Sequence, residues 1–454
     1  MYKFISFIGT FVILGIAVLM SNNRRKISLR VVVWGTMLQV FFAFLVLPNS
    51  PLNAGVKAAL NLKTGPGEWF FSVMNDAIVK LLSFTGDGAR FIFGNLIGNS
   101  VPIGMGDPAL NMPPKLIPGY VAHTGAYFAF SVLPTIIFFS ALMSVLYHVG
   151  IMQKVVAFVA WIMERCMRTS GAETLSASAN IFLGQTEAPL VVRPFVEEMT
   201  KSELMCIMVG GFATVAGGVM AAYVGMLKDY FPDIAGHLLS ASIMSAPAAI
   251  VMAKIIYPET EVPKTKGGAK LSLPETNANI IDAAASGAAT GLQLALNVGA
   301  MLLAFIALIS MANYGIEKIG SLINLVFKTS LTINLQVLFG IIFAPFCWIM
   351  GVPWVDCRII GTLLGERLAI NEFVAYLHLA DLAAKGIHLQ YRSYVIVTYA
   401  LCGFANFSSI AIQIGGIGAL APSRRHDLAR LGLKAMFGGL LASYMTGTIA
   451  GMFV

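Results

Sequence analysis

An otherwise apolar segment of this chain is interrupted at its middle by the stretch Asn180-Ile181-Phe182-Leu183-Gly184-Gln185-Thr186-Glu187-Ala188-Pro189-Leu190. A second apolar segment is interrupted in the same way by Asn371-Glu372. Related strings follow the two polar tips, Gly211-Phe212-Ala213-Thr214 after the first and Gly403-Phe404-Ala405-Asn406 after the second. A carboxylate inside a membrane segment costs about 2.5–3.5 kcal/mol on insertion scales, so two at equivalent places indicate a function. Duplicated, interrupted apolar segments are typical of secondary transporters, whose substrate site lies where the repeats meet.

The composition identifies an integral membrane protein. The chain is 57% hydrophobic and 11% charged, whereas a soluble domain carries about 25% charged residues. The formal net charge of +8 does not indicate nucleic-acid binding, because most basic residues lie in short loops beside apolar runs, where they set membrane orientation. We therefore expect membrane lipid and no nucleic acid among the partners.

Apolar runs near the roughly 20 residues that a bilayer requires predict eight membrane spans. They lie near residues 3–21, 30–48, 119–147, 203–228, 236–257, 296–327, 391–415 and 431–453. Between the second and third, apolar residues recur at helical spacing and predict an interfacial helix near 68–84. A loop rich in Gly and Pro is expected from there to Pro118. The predicted fold is an all-α polytopic membrane protein.

The segments at about 170–200 and 353–385 each have the length of two half-membrane helices joined at a polar tip. Non-helical backbone at membrane depth is tolerated where it is buried in protein or faces a water-filled cavity, so both are predicted to be re-entrant hairpins. Basic clusters at 24–30, 264–270 and 424–434 then share the cytoplasmic side, and both termini lie outside.

These hairpins enter from opposite faces, and the chain therefore divides into an inverted repeat. We predict scaffold spans one to three in residues 1–147 and a first transport repeat in 148–257. A linker with scaffold span six follows in 258–330, and a second transport repeat occupies 331–454.

The first tip offers a ligand three neighbouring polar groups. Gln185 supplies a donor and an acceptor, Thr186 a hydroxyl, and Glu187 a carboxylate at the positive end of a helix. The alternative is a capping cluster that closes the hairpin, but capping requires only one such residue. A ligand-binding role is therefore favoured.

A cation site is predicted opposite this tip. The string Thr214-Val215-Ala216-Gly217-Gly218 would unwind span four, and freed carbonyls with the side-chain oxygens of Asn180 and Thr214 suit a hard monovalent cation. Alternatively, Gly217 and Gly218 only allow close helix packing. The spacing alone does not decide between these readings.

The second tip brings Glu372 towards span seven, where Asn406 and Ser409 share a helix face near Phe404. A carboxylate, an amide and a hydroxyl beside an aromatic ring suit a ligand with adjacent hydroxyls and a planar ring. Asn406 and Ser409 alone could serve as interhelical hydrogen bonds worth about 0.6 kcal/mol. Glu372 has no comparable structural explanation.

Three strings resemble the concentrative nucleoside transporter family, in its bacterial, sodium-coupled form. They are Gly184-Gln185-Thr186-Glu187-Ala188-Pro189-Leu190, Asn371-Glu372-Phe373-Val374-Ala375-Tyr376 and Cys402-Gly403-Phe404-Ala405-Asn406-Phe407-Ser408-Ser409-Ile410. The resemblance implies a homotrimer of eight-span protomers, an elevator-like movement of the transport part, and sodium as coupling ion with no other cofactor. It implies nucleobase contacts from Gln185, Thr186, Glu187 and Val219, and ribose contacts from Glu372, Asn406 and Ser409, with Phe404 nearby. It places sodium at Asn180, Leu183, Thr214 and Val215, with Leu183 and Val215 acting through backbone carbonyls.

Three alternatives compete with a sodium-coupled nucleoside symporter of a bacterial inner membrane. Coupling to protons is the first, although Ala188-Pro189-Leu190 after the tip favours sodium within the resembled family. A channel would require a continuous polar stripe, whereas the polar groups here lie at two separate tips. An intramembrane hydrolase using Glu187 and Glu372 would need a further catalytic motif, and the sequence carries none of the common ones. The preferred nucleosides and the number of cations per cycle stay open.

Overall fold

The computed structural model describes residues 1–47, 50–60, 65–98, 100–105, 115–123, 128–267, 277–327 and 334–454. The first part contains helices α1 (Tyr2–Leu19), α2 (Leu29–Val46), α3 (Pro51–Ala59) and α4 (Pro66–Phe93), strands β1 (Ser100–Met105) and β2 (Lys115–His123), and helix α5 (Leu133–His148). The middle part contains α6 (Ile151–Met167), α7 (Gly171–Ala179), α8 (Arg193–Val196), α9 (Lys201–Ala213), α10 (Gly217–Leu227), α11 (Ile234–Ile256) and α12 (Ile280–Phe327). The last part contains α13 (Leu335–Ile349), α14 (Trp354–Ala369), α15 (Glu372–Ala384), α16 (Tyr391–Leu401), α17 (Phe407–Leu420) and α18 (Arg425–Phe453).

The predicted order of elements occurs twice. In the first half, α6 leads into the pair α7 and α8, then into a span divided between α9 and α10, and finally into α11. In the second half, α13 leads into the pair α14 and α15, then into the predicted span, which is divided between α16 and α17, and finally into α18. The interruptions fall at Thr214–Ala216 and at Cys402–Asn406. These positions adjoin the related strings that end in Thr214 and Asn406.

The helix starts around both hairpins are fixed by side-chain caps. Ser170 with Glu173 and Thr200 with Glu203 form capping boxes at α7 and α9. Asn371 accepts a hydrogen bond from the Val374 backbone N–H at 2.9 Å and so caps α15. Each cap satisfies amide groups that a helix start leaves without partners, and each of these helices therefore begins at a defined residue.

A buried ion pair anchors the base of the first hairpin. Lys254 Nζ of α11 lies 2.7 Å from Glu173 Oε2 of α7 and 3.2 Å from Glu259 Oε2. The same nitrogen donates to Ser202 Oγ at 2.9 Å. Since the charges of Lys254 and Glu173 are almost fully removed from solvent, each requires the other.

Seven helices in the described ranges are long and apolar enough to cross a membrane. They are Tyr2–Leu19, Leu29–Val46, Ala129–His148, Lys201–Leu227, Ile234–Ile256, Ile280–Leu322 and Pro422–Phe453. The predicted span at 391–415 is not among them, because its break divides it into α16 and α17. Helices α13 and α14 bend by 119° at their junction, as expected where a helix turns into a hairpin. The total of eight spans stays a prediction.

The prediction of one span over 119–147 is wrong at its start, and the mostly helical fold contains a two-stranded sheet that the sequence analysis did not predict. Residues 115–123 form β2, which pairs antiparallel with β1, Ser100 opposite His123. The apolar helix begins only at Ala129. Residues such as Tyr120 and Val121 suit a strand as well as an apolar helix, and a short apolar run does not separate the two.

Two other predicted helices are longer than expected. The helix predicted at 68–84 extends over α4, and span six, predicted from residue 296, begins at Ile280. The early turns of α12 are rich in small residues that pack on α5. A Cβ atom on Gly291 would lie 2.7 Å from Ile137 Cα. Small residues allow two helix backbones to approach closely, and hydropathy alone therefore missed this part of the helix.

Burial separates a packed interior from an outer layer. The best apolar windows of Lys201–Leu227 and Ile234–Ile256 are each 89% buried, whereas that of Ile280–Leu322 is only 11% buried. The predicted repeats therefore form the core, and α12 lies against their outside.

Candidate functional site

The two hairpin tips and the two broken spans surround one pocket. All eight side chains predicted to contact the ligand line it: Gln185, Thr186, Glu187, Val219, Glu372, Phe404, Asn406 and Ser409. These residues come from four separate regions of the sequence, and the fold brings them together.

The carboxylate of Glu372 is held from two sides. Tyr223 Oη of α10 donates to its Oε1 at 2.9 Å, and Asn406 Nδ2 donates to its Oε2 at 3.2 Å. Asn406 Oδ1 accepts from the Ser409 backbone N–H at 2.9 Å, so the amide nitrogen of Asn406 must face Glu372. The Glu372 side chain is only 4% exposed. It thus presents a desolvated, oriented acceptor pair to a ligand hydroxyl.

The first tip is oriented by α17. Gln185 Nε2 donates to Ser409 Oγ at 3.2 Å, while Gln413 Nε2 donates to Gln185 Oε1 at 3.1 Å. Glu187 makes no side-chain capping bond to the helical turn that follows it, and its Oε2 is buried without a hydrogen-bond partner. Buried polar atoms normally have partners. The capping reading of this tip therefore lacks support, and Glu187 is available to a ligand.

Apolar side chains of α12 close the pocket on one side. Leu294, Val298, Met301 and Leu302 of α12 line the face opposite the tips. Their spacing places them along one side of the helix. A planar, apolar ring face can therefore pack on α12 while its polar edge meets the first hairpin tip.

The four residues proposed for sodium lie around the break between α9 and α10. Asn180 is fully buried, its Nδ2 donates to Ser176 O at 3.1 Å, and its Oδ1 has no partner. Asn180 packs on Gly210, where a Cβ atom would lie 3.1 Å from its Nδ2. Thr214 Oγ1 donates to Gly210 O at 2.9 Å, so its lone pairs are free to accept or coordinate.

The backbone of the first tip is tied to the same break. Gly217 N–H donates to Phe182 O at 3.1 Å, next to Leu183. Val215 is buried within the break. An unpartnered amide oxygen, a hydroxyl oxygen and freed carbonyls are neutral hard ligands, and these residues fit a monovalent cation such as sodium. In the described part of the chain, no cluster of three or more His, Cys, Asp or Glu side chains suits a metal ion.

The chain matches three family profiles. A family profile described as Na+ dependent nucleoside transporter C-terminus matches residues 237–451, and the corresponding N-terminus profile matches residues 8–96. A profile described as Nucleoside recognition matches residues 129–230. An uncharacterized transporter of Haemophilus influenzae is 43% identical over 99% of this chain and 97% of its own length. The chain belongs to the Na+-dependent nucleoside transporter family.

This family contains membrane transporters and not enzymes. The sodium/nucleoside cotransporter 1 of Rattus norvegicus is 35% identical to this transporter over 99% of the chain, which spans 64% of the rat protein's length. The solved structure of CNTnw in an inward-facing substrate-bound state is 39% identical, with a TM-score of 0.84. The match covers 100% of this transporter and 98% of that chain.

Three residues that the sequence analysis did not single out hold parts of this site in place. Tyr223 and Gln413 hold Glu372 and Gln185, and Arg367 holds the break of the second broken span. The Arg367 side chain is fully buried and donates to Gly403 O at 3.1 Å, to Ser443 Oγ at 2.9 Å and to Ala400 O. A charged residue inside a predicted hairpin was the only available signal, and it concerned Arg367 alone.

Proposed function

We propose that this transporter is a symporter that imports nucleosides into the cell, driven by a sodium gradient. The observation that carries the proposal is the single pocket in which an oriented carboxylate, Glu372, faces a polar tip across an apolar wall. Adjacent ribose hydroxyls suit Glu372, Asn406 and Ser409, and the polar edge of a base suits Gln185, Thr186 and Glu187. Val219 and Phe404 supply apolar surface to the ring.

Coupling to sodium is supported by the residues around the break between α9 and α10. The carbonyl of Phe182 is already bonded to the break in the first broken span, and Leu183 precedes the ligand-binding tip by only one glycine. A cation at Asn180, Leu183, Thr214 and Val215 would fix the tip that carries Gln185. Ordering the tip lowers the cost of binding the nucleoside, so each ligand increases the affinity for the other.

Alternating access by an elevator-like movement is supported by the composition of the pocket wall. One wall belongs to α12, which is mostly unburied, and the other walls belong to the packed repeats. Displacing the repeats along α12 would carry the tips and the breaks together, because they are hydrogen-bonded to one another. We further propose re-entrant hairpins in inverted repeats, a homotrimer, and a bacterial inner membrane with both termini outside the cytoplasm.

Uptake by reconstituted liposomes tests this function. With labelled uridine, adenosine and guanosine, we expect saturable accumulation of at least one nucleoside that requires an inward sodium gradient. Accumulation driven by a proton gradient in sodium-free buffer would establish the alternative proton coupling instead. Uptake that neither saturates nor exceeds equilibrium would contradict symport and favour a channel.

A further inference from the structure

Gln413 of α17 is a buried polar residue that holds Gln185 and has no role of its own in the proposed function. Its side chain is fully buried. Its Nε2 lies 3.2 Å from Met208 O and 3.1 Å from Gln185 Oε1. Gln413 therefore joins a backbone carbonyl of the first broken span to the tip of the first hairpin.

The direction of these hydrogen bonds is fixed by the carbonyl of Met208. A backbone carbonyl can only accept, so the group of Gln413 that faces it must be the NH₂. The same NH₂ faces Gln185, which must therefore present its oxygen to Gln413. As a consequence, the Gln185 NH₂ faces the other way and donates to Ser409 Oγ at 3.2 Å.

This row of hydrogen bonds ends in the pocket at two groups that can still donate a hydrogen bond, Ser409 and Gln185. Ser409 Oγ accepts from Gln185, and its own proton is then free to donate. The Gln185 NH₂ has a second hydrogen that no group in the described part of the protein accepts. Both Gln185 and Ser409 line the pocket. This part of the wall therefore offers hydrogen to a ligand acceptor, and a base amino group that faces Gln185, and not the unpartnered Glu187 carboxylate, would meet another donor.

We propose that Gln413 is a specificity-determining residue, which holds the Gln185 amide in the orientation that favours oxo nucleobases over amino nucleobases. This inference rests on the proposed binding of nucleosides. Gly211 provides independent support, because a Cβ atom there would lie 2.7 Å from Gln413 Nε2 and 2.9 Å from Gln185 Cβ. A residue larger than glycine at position 211 would disturb the contact without removing any of its polar groups.

The test compares nucleoside pairs that differ in one group, uridine with cytidine and inosine with adenosine. Calorimetry in saturating sodium should show that the wild-type protein binds the oxo member of at least one pair about tenfold more tightly, since a buried unpaired donor costs about 1–3 kcal/mol. Gln413→Met should bring that ratio to within about threefold of unity.

Two further variants keep the result interpretable. Gly211→Ala retains Gln413, but its Cβ atom would force the Gln413 and Gln185 side chains to shift, and it should also reduce the ratio. Gln39→Met makes the same chemical change at a fully buried glutamine that donates to Gly35 O and does not line the pocket, so the ratio should not change. A wild-type ratio that survives in Gln413→Met would overturn the inference but not the proposed function. Absence of any nucleoside binding by the wild-type protein would overturn both.

Discussion

Replacing Glu372 by Gln removes a charge while leaving the shape of the site intact. Asn406 must keep its NH₂ towards position 372, because its oxygen accepts from the Ser409 backbone N–H. The new amide therefore turns its oxygen to Asn406 and its nitrogen to Tyr223, whose hydroxyl can accept. We expect Glu372→Gln to fold normally.

The loss in affinity follows from the bonds to the ligand. A hydrogen bond to a charged group contributes about 1.5–3 kcal/mol, and a neutral one about 0.5–1.5 kcal/mol. If both ribose hydroxyls donate to the carboxylate, the change amounts to about 2 kcal/mol, or roughly 30-fold in Kd. Calorimetric titration of uridine in saturating sodium measures this difference.

The ligand provides the decisive comparison. For 2′,3′-dideoxyuridine, which lacks both hydroxyls, wild-type protein and Glu372→Gln should bind within about threefold of each other. Glu366→Gln is the matched control, because Glu366 is a buried carboxylate of the same hairpin that bonds to His378 at 2.8 Å and does not line the site. An equal loss for uridine and for the dideoxy compound would refute the assignment of Glu372 to the ribose.

Three other predictions concern the cation site and the two anchors. Thr214→Ala should raise the sodium concentration for half-maximal uridine binding at least about fivefold, with little change in affinity at saturating sodium; an unchanged sodium titration would remove Thr214 from the site. Arg367→Met leaves two buried carbonyl oxygens without a hydrogen bond, and each costs about 1–3 kcal/mol of stability. The melting temperature of this variant in detergent should therefore fall by about 5 °C or more. The same substitution at the exposed Arg358 should leave the melting temperature unchanged. Lys254→Met leaves the Glu173 carboxylate buried and unpaired, which should lower the stability by about 3–5 kcal/mol. Adding Glu173→Gln should recover part of the lost melting temperature. A further fall in the double variant would contradict the pairing of Lys254 with Glu173.

Features with a local signal were predictable from the sequence. The tips at Gln185–Glu187 and Asn371–Glu372 are polar inside apolar segments. The string from Thr214 to Gly218 predicted either a break or close helix packing, and the structure has a break at Thr214–Ala216. A membrane segment has few polar residues, so those that it retains mark either a turn in the backbone or a binding group. The element order of both repeats could therefore be read from the chain.

Features that depend on tertiary contact were not predictable. Tyr223 is an ordinary residue of an apolar helix until the fold places its hydroxyl on Glu372. Gln413 likewise acquires its role only beside Met208 and Gln185. The strand at 115–123 was not predicted for a different reason. A short apolar run has the same composition in a strand as at the start of a membrane span. Leu294 was missed because it precedes residue 296, where span six was predicted to begin. Val298 lies inside that predicted span, and an apolar side chain in an apolar span gives no local sign of a pocket.

The central claim is that both hairpin tips and both broken spans hold one nucleoside between them. A structure determined with sodium and 5-bromouridine tests it most directly, because bromine locates the base. We predict ribose density within hydrogen-bonding distance of Glu372 and Asn406, and bromine on the side of Gln185 and Thr186. Density for the nucleoside outside this pocket, or contacts from only one of the two tips, would contradict the account.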